Sequence, residues 1–75
     1  MPASRDTSLV KFLAKNVKRY RKQLGLSQEG LAFDCEIDRT YISKLERGIA
    51  NPSLLILTQL AKVLRVDVVD LLKKS

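Results

Sequence analysis

The stretch LSQEGLAFDCEIDRTYISKLERG, residues 26–48, holds two short helical patterns on either side of a three-residue break. Ser27 is a good N-cap, because its hydroxyl can accept from an amide that the first helical turn leaves unpaired, and Gln28 through Cys35 then make one helix. Glu36, Ile37 and Asp38 turn the chain, and Asp38 caps a second helix that starts at Arg39. At helical spacing Leu31, Ala32, Cys35, Ile37, Ile42 and Leu45 face inward. Arg39, Thr40, Ser43, Lys44 and Arg47 are left on the outer face of the second helix, and all five carry hydrogen-bond donors that can reach bases and phosphates.

Outward from this pair, periodicity marks three more helices and no strand, an all-α chain of five helices. Leu9, Phe12, Leu13, Val17, Tyr20 and Leu24 recur at steps of three and four, which predicts a helix from Thr7 or Ser8 that Gly25 ends as a left-handed cap. Asn51-Pro52-Ser53 is a start signal, with Pro52 suited to the first turn and Leu54, Leu57, Leu60, Ala61 and Leu64 forming the inward stripe of a fourth helix. Asp67 caps a short fifth helix that ends in Leu71 and Leu72, followed by a frayed Lys73-Lys74-Ser75 tail. Residues 1–6 lack apolar periodicity and read as a flexible arm. The domain is therefore expected over residues 7–75, with no internal repeat and no linker to a second one.

Fourteen basic against eight acidic residues give a net charge of +6, a balance that suits a polyanionic partner. Lys11, Lys15, Lys18, Arg19, Arg21 and Lys22 fall together with no acid among them, although a solvated helix face has the same pattern. One cysteine and no histidine exclude an internal disulfide framework and a Cys/His zinc site, and no cofactor is expected. No signal-peptide pattern is present, and the most apolar stretch, residues 54–72, is broken by Lys62, Arg65, Asp67 and Asp70, so no membrane span is expected. An enzyme is disfavoured by the lack of a glycine-rich phosphate loop and of a convergent nucleophile and base.

The order LSQEGLA, DRTYISKLERG, NPSL and VDVVDLL resembles helix-turn-helix domains of the phage repressor and Cro type over about residues 13 to 72. Within that family, DRTYIS followed by ERG and NPS is most similar to the controller proteins of restriction-modification systems, small dimers that regulate their own operon. The resemblance implies a bacterial or phage-encoded cytoplasmic protein that binds a double-stranded DNA operator, with RNA polymerase as a further candidate partner. It assigns Arg39, Thr40, Ser43 and Lys44 to base contacts, and the chemistry agrees. Arg39 can fork onto guanine O6 and N7, Thr40 offers a hydroxyl and a methyl, and Lys44 can donate to guanine. A cation is also unfavourable at a helix N-terminus, so Arg39 is better explained by a ligand than by the helix itself.

Phosphate contacts are expected from Gln28, Lys18, Arg19, Tyr41, Arg47 and Asn51, Gln28 also bracing the second helix of the motif. For Tyr41 the alternative is packing against the preceding helix. The resemblance also pairs Arg21 with Glu46 in a bidentate bond that orients the recognition helix.

Several residues depart from the family pattern. Gly30 stands where a glutamate would complete a capping box with Ser27, which should cost the helix start about 1 kcal/mol. Glu36 replaces a frequent glycine and carries strain if its φ is positive. Ile49 and Ala50 stand where basic residues are common, leaving backbone amides, Asn51 or Ser53 to meet phosphates there. Phe33 replaces a polar residue, and is either a surface aromatic that reaches the DNA backbone or a partner, or simply tolerated. Cys35 occupies a small apolar position, and Asp34 and Glu36 beside it disfavour a thiolate, which argues against a redox sensor.

Surplus apolar residues argue for association. With the fourth helix's inward stripe given to the core, Leu55, Ile56, Val63 and Val69 remain for a homodimer interface. A two-fold dimer sets two recognition helices about 34 Å apart and implies a palindromic operator. Alternatives are an antitoxin of the same fold, which needs a further partner surface such as that around Phe33, and a phage-type repressor.

Overall fold

A computed structural model describes residues 8–74, so the arm expected over residues 1–6 lies outside the described residues. Five helices follow one another: α1 Ser8–Gln23, α2 Gln28–Cys35, α3 Arg39–Glu46, α4 Leu54–Leu64 and α5 Val68–Leu72. Their starts are set by side chains that take up free amides. Ser27 Oγ accepts from Gly30 N at 2.9 Å, Asp38 Oδ1 from Thr40 N at 2.8 Å and Ser53 Oγ from Ile56 N at 3.2 Å. In α5, Asp70 returns its carboxylate to the Asp67 amide at 3.0 Å. The α2 cap thus keeps the serine half of the capping box. Pro52 precedes the cap Ser53 and stands outside α4, correcting its expected place in the first turn.

The first four helices end in one way. A left-handed residue follows the helix, and the next amide reaches back to a carbonyl five residues earlier: Leu26 to Arg21, Ile37 to Ala32, Ile49 to Lys44 and Val66 to Ala61. Gly25 and Gly48 take this conformation without penalty, but Glu36 (φ 58°) and Arg65 (φ 63°) take it with a Cβ, which costs about 1 kcal/mol each. The strain foreseen at Glu36 is present; Arg65 gave no such signal, because nothing in its side chain marks a left-handed turn.

α2 packs against α3, while α1 packs against α3 and α5, and α4 closes the remaining side. The core is built from Leu13, Val17, Leu31, Ala32, Cys35, Ile42, Leu45, Leu57, Leu60, Ala61, Leu64 and Leu71, with half-buried Ile37 packed on it. Three expected core residues are exposed. Leu9 borders an open groove with Leu72, Pro52 and Leu57. Leu24 lies past the end of α1, where the chain has left the helical period. Leu54, in the first turn of α4, is 79% exposed.

Asn16 is fully buried in the middle of the apolar side of α1. Its amide nitrogen donates to the Leu71 carbonyl at 2.9 Å and the Lys73 carbonyl at 2.8 Å, two acceptors that the end of α5 leaves open. Its carbonyl accepts from Arg19 Nη2 at 3.0 Å. One carboxamide therefore pins the last helix to the first. Among the described residues no helix is long and apolar enough to cross a membrane.

Candidate nucleic-acid interface

The outward side of α3 is held in place by a buried ion pair. Arg21, late in α1, donates from Nε to Glu46 Oε2 at 2.6 Å and from Nη2 to Oε1 at 2.9 Å, while its Nη1 donates to the Leu26 carbonyl at 2.8 Å. Gln28, the first residue of α2, donates to the same Glu46 Oε1 at 3.1 Å. The Arg21 and Glu46 side chains are only 9% and 3% accessible. Burial alone would push the Glu46 carboxyl up. The hydrogen bonds from Arg21 and Gln28, with the charges of Arg21 and Lys18, carry it below its ordinary value instead. The Arg21 guanidinium is raised, chiefly by its bond to Glu46. Three helices thus meet at one carboxylate, and the rotation of α3 follows from it.

On the helix so fixed, Arg39, Thr40 and Lys44 are exposed and Ser43 is half-buried. Asp38, in capping α3, accepts from the Thr40 amide, which lowers its carboxyl. Tyr41 is half-buried and packed against the core, and burial raises its hydroxyl pKa, so the ring does packing duty whatever its hydroxyl touches. Arg47 folds back so that its Nε donates to the Ser43 carbonyl at 3.3 Å. Asn51 is exposed in the loop before α4.

On α1, Lys18 is exposed and its charge acts on Glu46, placing it on the α3 side. Arg19, a neighbour in sequence, is placed differently: it is bonded to Asn16 and its guanidinium lies 4.6 Å from the centre of the Tyr20 ring. Sequence reasoning missed the Asn16 tie. Its one signal was a polar residue three after Leu13 and four before Tyr20, on an apolar stripe where an unpaired amide would be costly.

The proposed dimer residues divide. Leu55 and Val69 are 70% and 66% exposed, but Ile56 and Val63 are half-buried and packed on the core, which corrects the view that they have no core duty. Exposed Leu54 joins the outward apolar set. Burial and then the charge of Asp34 push the Cys35 thiol up to about 11, so it is a neutral, buried side chain near pH 7. Among the described residues no cluster of three metal-ligating side chains occurs.

A helix pair joined by a three-residue turn, with the second helix clamped and its polar side outward, is the arrangement of a DNA-reading motif. The chain belongs to the Helix-turn-helix family of DNA-binding transcriptional regulators, whose model matches residues 17–71. Control protein C.BamHI of Bacillus amyloliquefaciens is 51% identical over 47 residues, which are 63% of this chain and 58% of that protein. The crystal structure of a hypothetical transcription factor from Neisseria superposes with a TM-score of 0.86 at 38% identity, covering 99% of this chain and 87% of that one. The restriction-modification controller protein C.AhdI from Aeromonas hydrophila gives a TM-score of 0.79 at 35% identity, covering 83% and 94%. The resemblance to controller proteins read from DRTYIS, ERG and NPS is thus matched by relatives of that name.

Proposed function

We propose that this chain is the autoregulatory controller of a restriction-modification operon, binding a palindromic operator as a homodimer in the cytoplasm of a bacterium or from a phage-borne gene. The observation that carries the reading is the clamped α3: Arg39, Thr40 and Lys44 project from a helix whose rotation is set by the Arg21, Gln28 and Glu46 contacts. Arg39, Thr40, Ser43 and Lys44 read base edges in the major groove. Gln28, Lys18, Tyr41, Arg47 and Asn51 hold phosphates and so set the register. Arg19 is exposed, with one nitrogen bonded to Asn16, and belongs to the same phosphate set.

The domain runs over residues 7–75, with α4 and α5 supplying the dimer contact through Leu54, Leu55 and Val69 and the outer edges of Ile56 and Val63. The chain acts by binding and not by catalysis, in line with its family. A contact with RNA polymerase falls in this reading on α2, whose Glu29, Phe33 and Asp34 are exposed and belong neither to the core nor to the base-reading set.

Selection of bound duplexes from a random library by the purified protein tests the proposal. A two-fold symmetric motif is expected, with half-site centres about 10 base pairs apart. Recovery of no enriched sequence would refute it, and enrichment of a single half-site with a monomer bound would refute the dimeric part.

A further inference from the structure

We infer that Lys11, Lys15, Lys18 and Lys22, a row along α1 continued by Arg47 at the end of α3, hold the phosphate backbone of the duplex beyond the base-reading contacts. This rests on the DNA-binding reading above and adds a surface to it. The four lysines recur at steps of four, three and four, so they project from one side of α1, and all four are exposed. α1 contains no acidic residue. The carboxylate that borders the row, Glu46, has its oxygens taken by Arg21 and Gln28.

Two relations give the row its direction. Lys18 acts electrostatically on Glu46, and Lys11 and Lys15 share a groove with Glu46, Arg47 and Gly48. Lys11, Lys15 and Lys18 therefore lie beside the C-terminal end of α3, next to the helix that carries the proposed base-reading residues. Like charges at these spacings repel one another on a helix by a few tenths of a kcal/mol per pair, and nothing on α1 offsets that repulsion. A strand of phosphates laid along the row does. From Lys11 to Lys22 the helix rises about 16 Å, enough to meet several successive phosphates of one strand.

The test compares the wild type with the double variant Lys11→Gln/Lys15→Gln, its fold checked by circular dichroism. Affinity is measured between 50 and 200 mM salt for two probes. One is a 30-base-pair duplex of random sequence; the other is the library-selected duplex, both trimmed to its half-sites and extended by six base pairs on each side. With about 0.9 in the salt exponent lost per phosphate released, the double variant should lower the exponent by about 1.8. The wild type then loses about twelvefold more affinity than the variant across that range. The wild type should also gain from the added flanks and the variant should not, while base preference stays the same. An unchanged exponent and flank gain in the double variant overturn the inference. If the wild type selects no sequence, the operator reading fails, and the exponent on random duplex still decides the lysine row.

Discussion

Replacing Glu46 by alanine removes the acceptor on which α1, α2 and α3 converge. Arg21 loses its bonds of 2.6 and 2.9 Å, Gln28 loses one of 3.1 Å, and the guanidinium keeps only the Leu26 carbonyl at 2.8 Å. Stripping one partner from a fully buried pair costs about 3 to 5 kcal/mol. The retained carbonyl and the small exposure of the Arg21 side chain reduce that here to about 2 to 4 kcal/mol. A domain of this length is stable by roughly 4 to 11 kcal/mol. The thermal midpoint, followed by circular dichroism, should therefore fall by about 10 to 25 °C. Arg21→Met combined with Glu46→Leu should recover much of the loss, since no charge is then left stranded. The same site fixes a pH dependence. The folded Glu46 carboxyl lies below its unfolded value, so the unfolded chain binds more protons and stability rises with pH. The contribution is complete above the ordinary glutamate value of about 4.3 and fades as the pH falls through the depressed folded one. A Glu46→Ala midpoint within about 2 °C of the wild type would refute the reasoning.

Arg39→Ala should cost about 1 to 3 kcal/mol of discrimination at one base pair, read by titrating operator variants; equal weakening on specific and random duplexes contradicts base reading. Asn16→Leu should destabilise by about 2 to 3 kcal/mol in urea, because the Leu71 and Lys73 carbonyls lose their donor, and an unchanged urea midpoint contradicts that tie. Val69→Asp or Leu55→Asp should disperse the dimer in sedimentation while circular dichroism stays native; Ile56→Asp should also weaken the monomer, since Ile56 packs on the core. Glu36→Gly should stabilise by up to about 0.6 kcal/mol, the relief of a positive φ less the greater freedom of the unfolded chain, and a lower urea midpoint would count against strain there.

The helices were legible because their signals are local. Ser27, Asp38, Ser53 and Asp67 sit one residue before each start from α2 onward, and Gly25 marks the end of α1. What stayed hidden depends on distant chain. Leu9, Leu24 and Leu54 fit a helical period, but whether such a residue is covered depends on how far its neighbours extend, and at these three places they stop short. Ile56 and Val63 erred in the other direction, since a flank of α4 reaches the core without belonging to its central stripe. Asn16 is the sharpest case: its partners lie at the far end of the sequence, beyond the reach of periodicity. In the candidate interface, the roles of Arg39, Thr40, Ser43 and Lys44 came from resemblance and side-chain chemistry. The convergence of Gln28 on Glu46 could be seen only once three helices were placed.

The bonds from Asn16 to carbonyls 55 and 57 residues further on also bear on the order of folding. Contacts of such separation form late, after the local pairing of α2 with α3, because a long loop must close before they repay it. During synthesis α1 emerges before the other four helices, yet its central amide lacks both carbonyl acceptors until α5 has followed. A chain interrupted before α5 leaves that amide to water and Leu71 missing from the core, so α1 is held against α3 only by the Arg21–Glu46 pair and their direct packing. The clamp on the base-reading helix is thus complete before the domain is: a chain stopped short of α5 keeps the Glu46 contacts and lacks only the tie on Asn16.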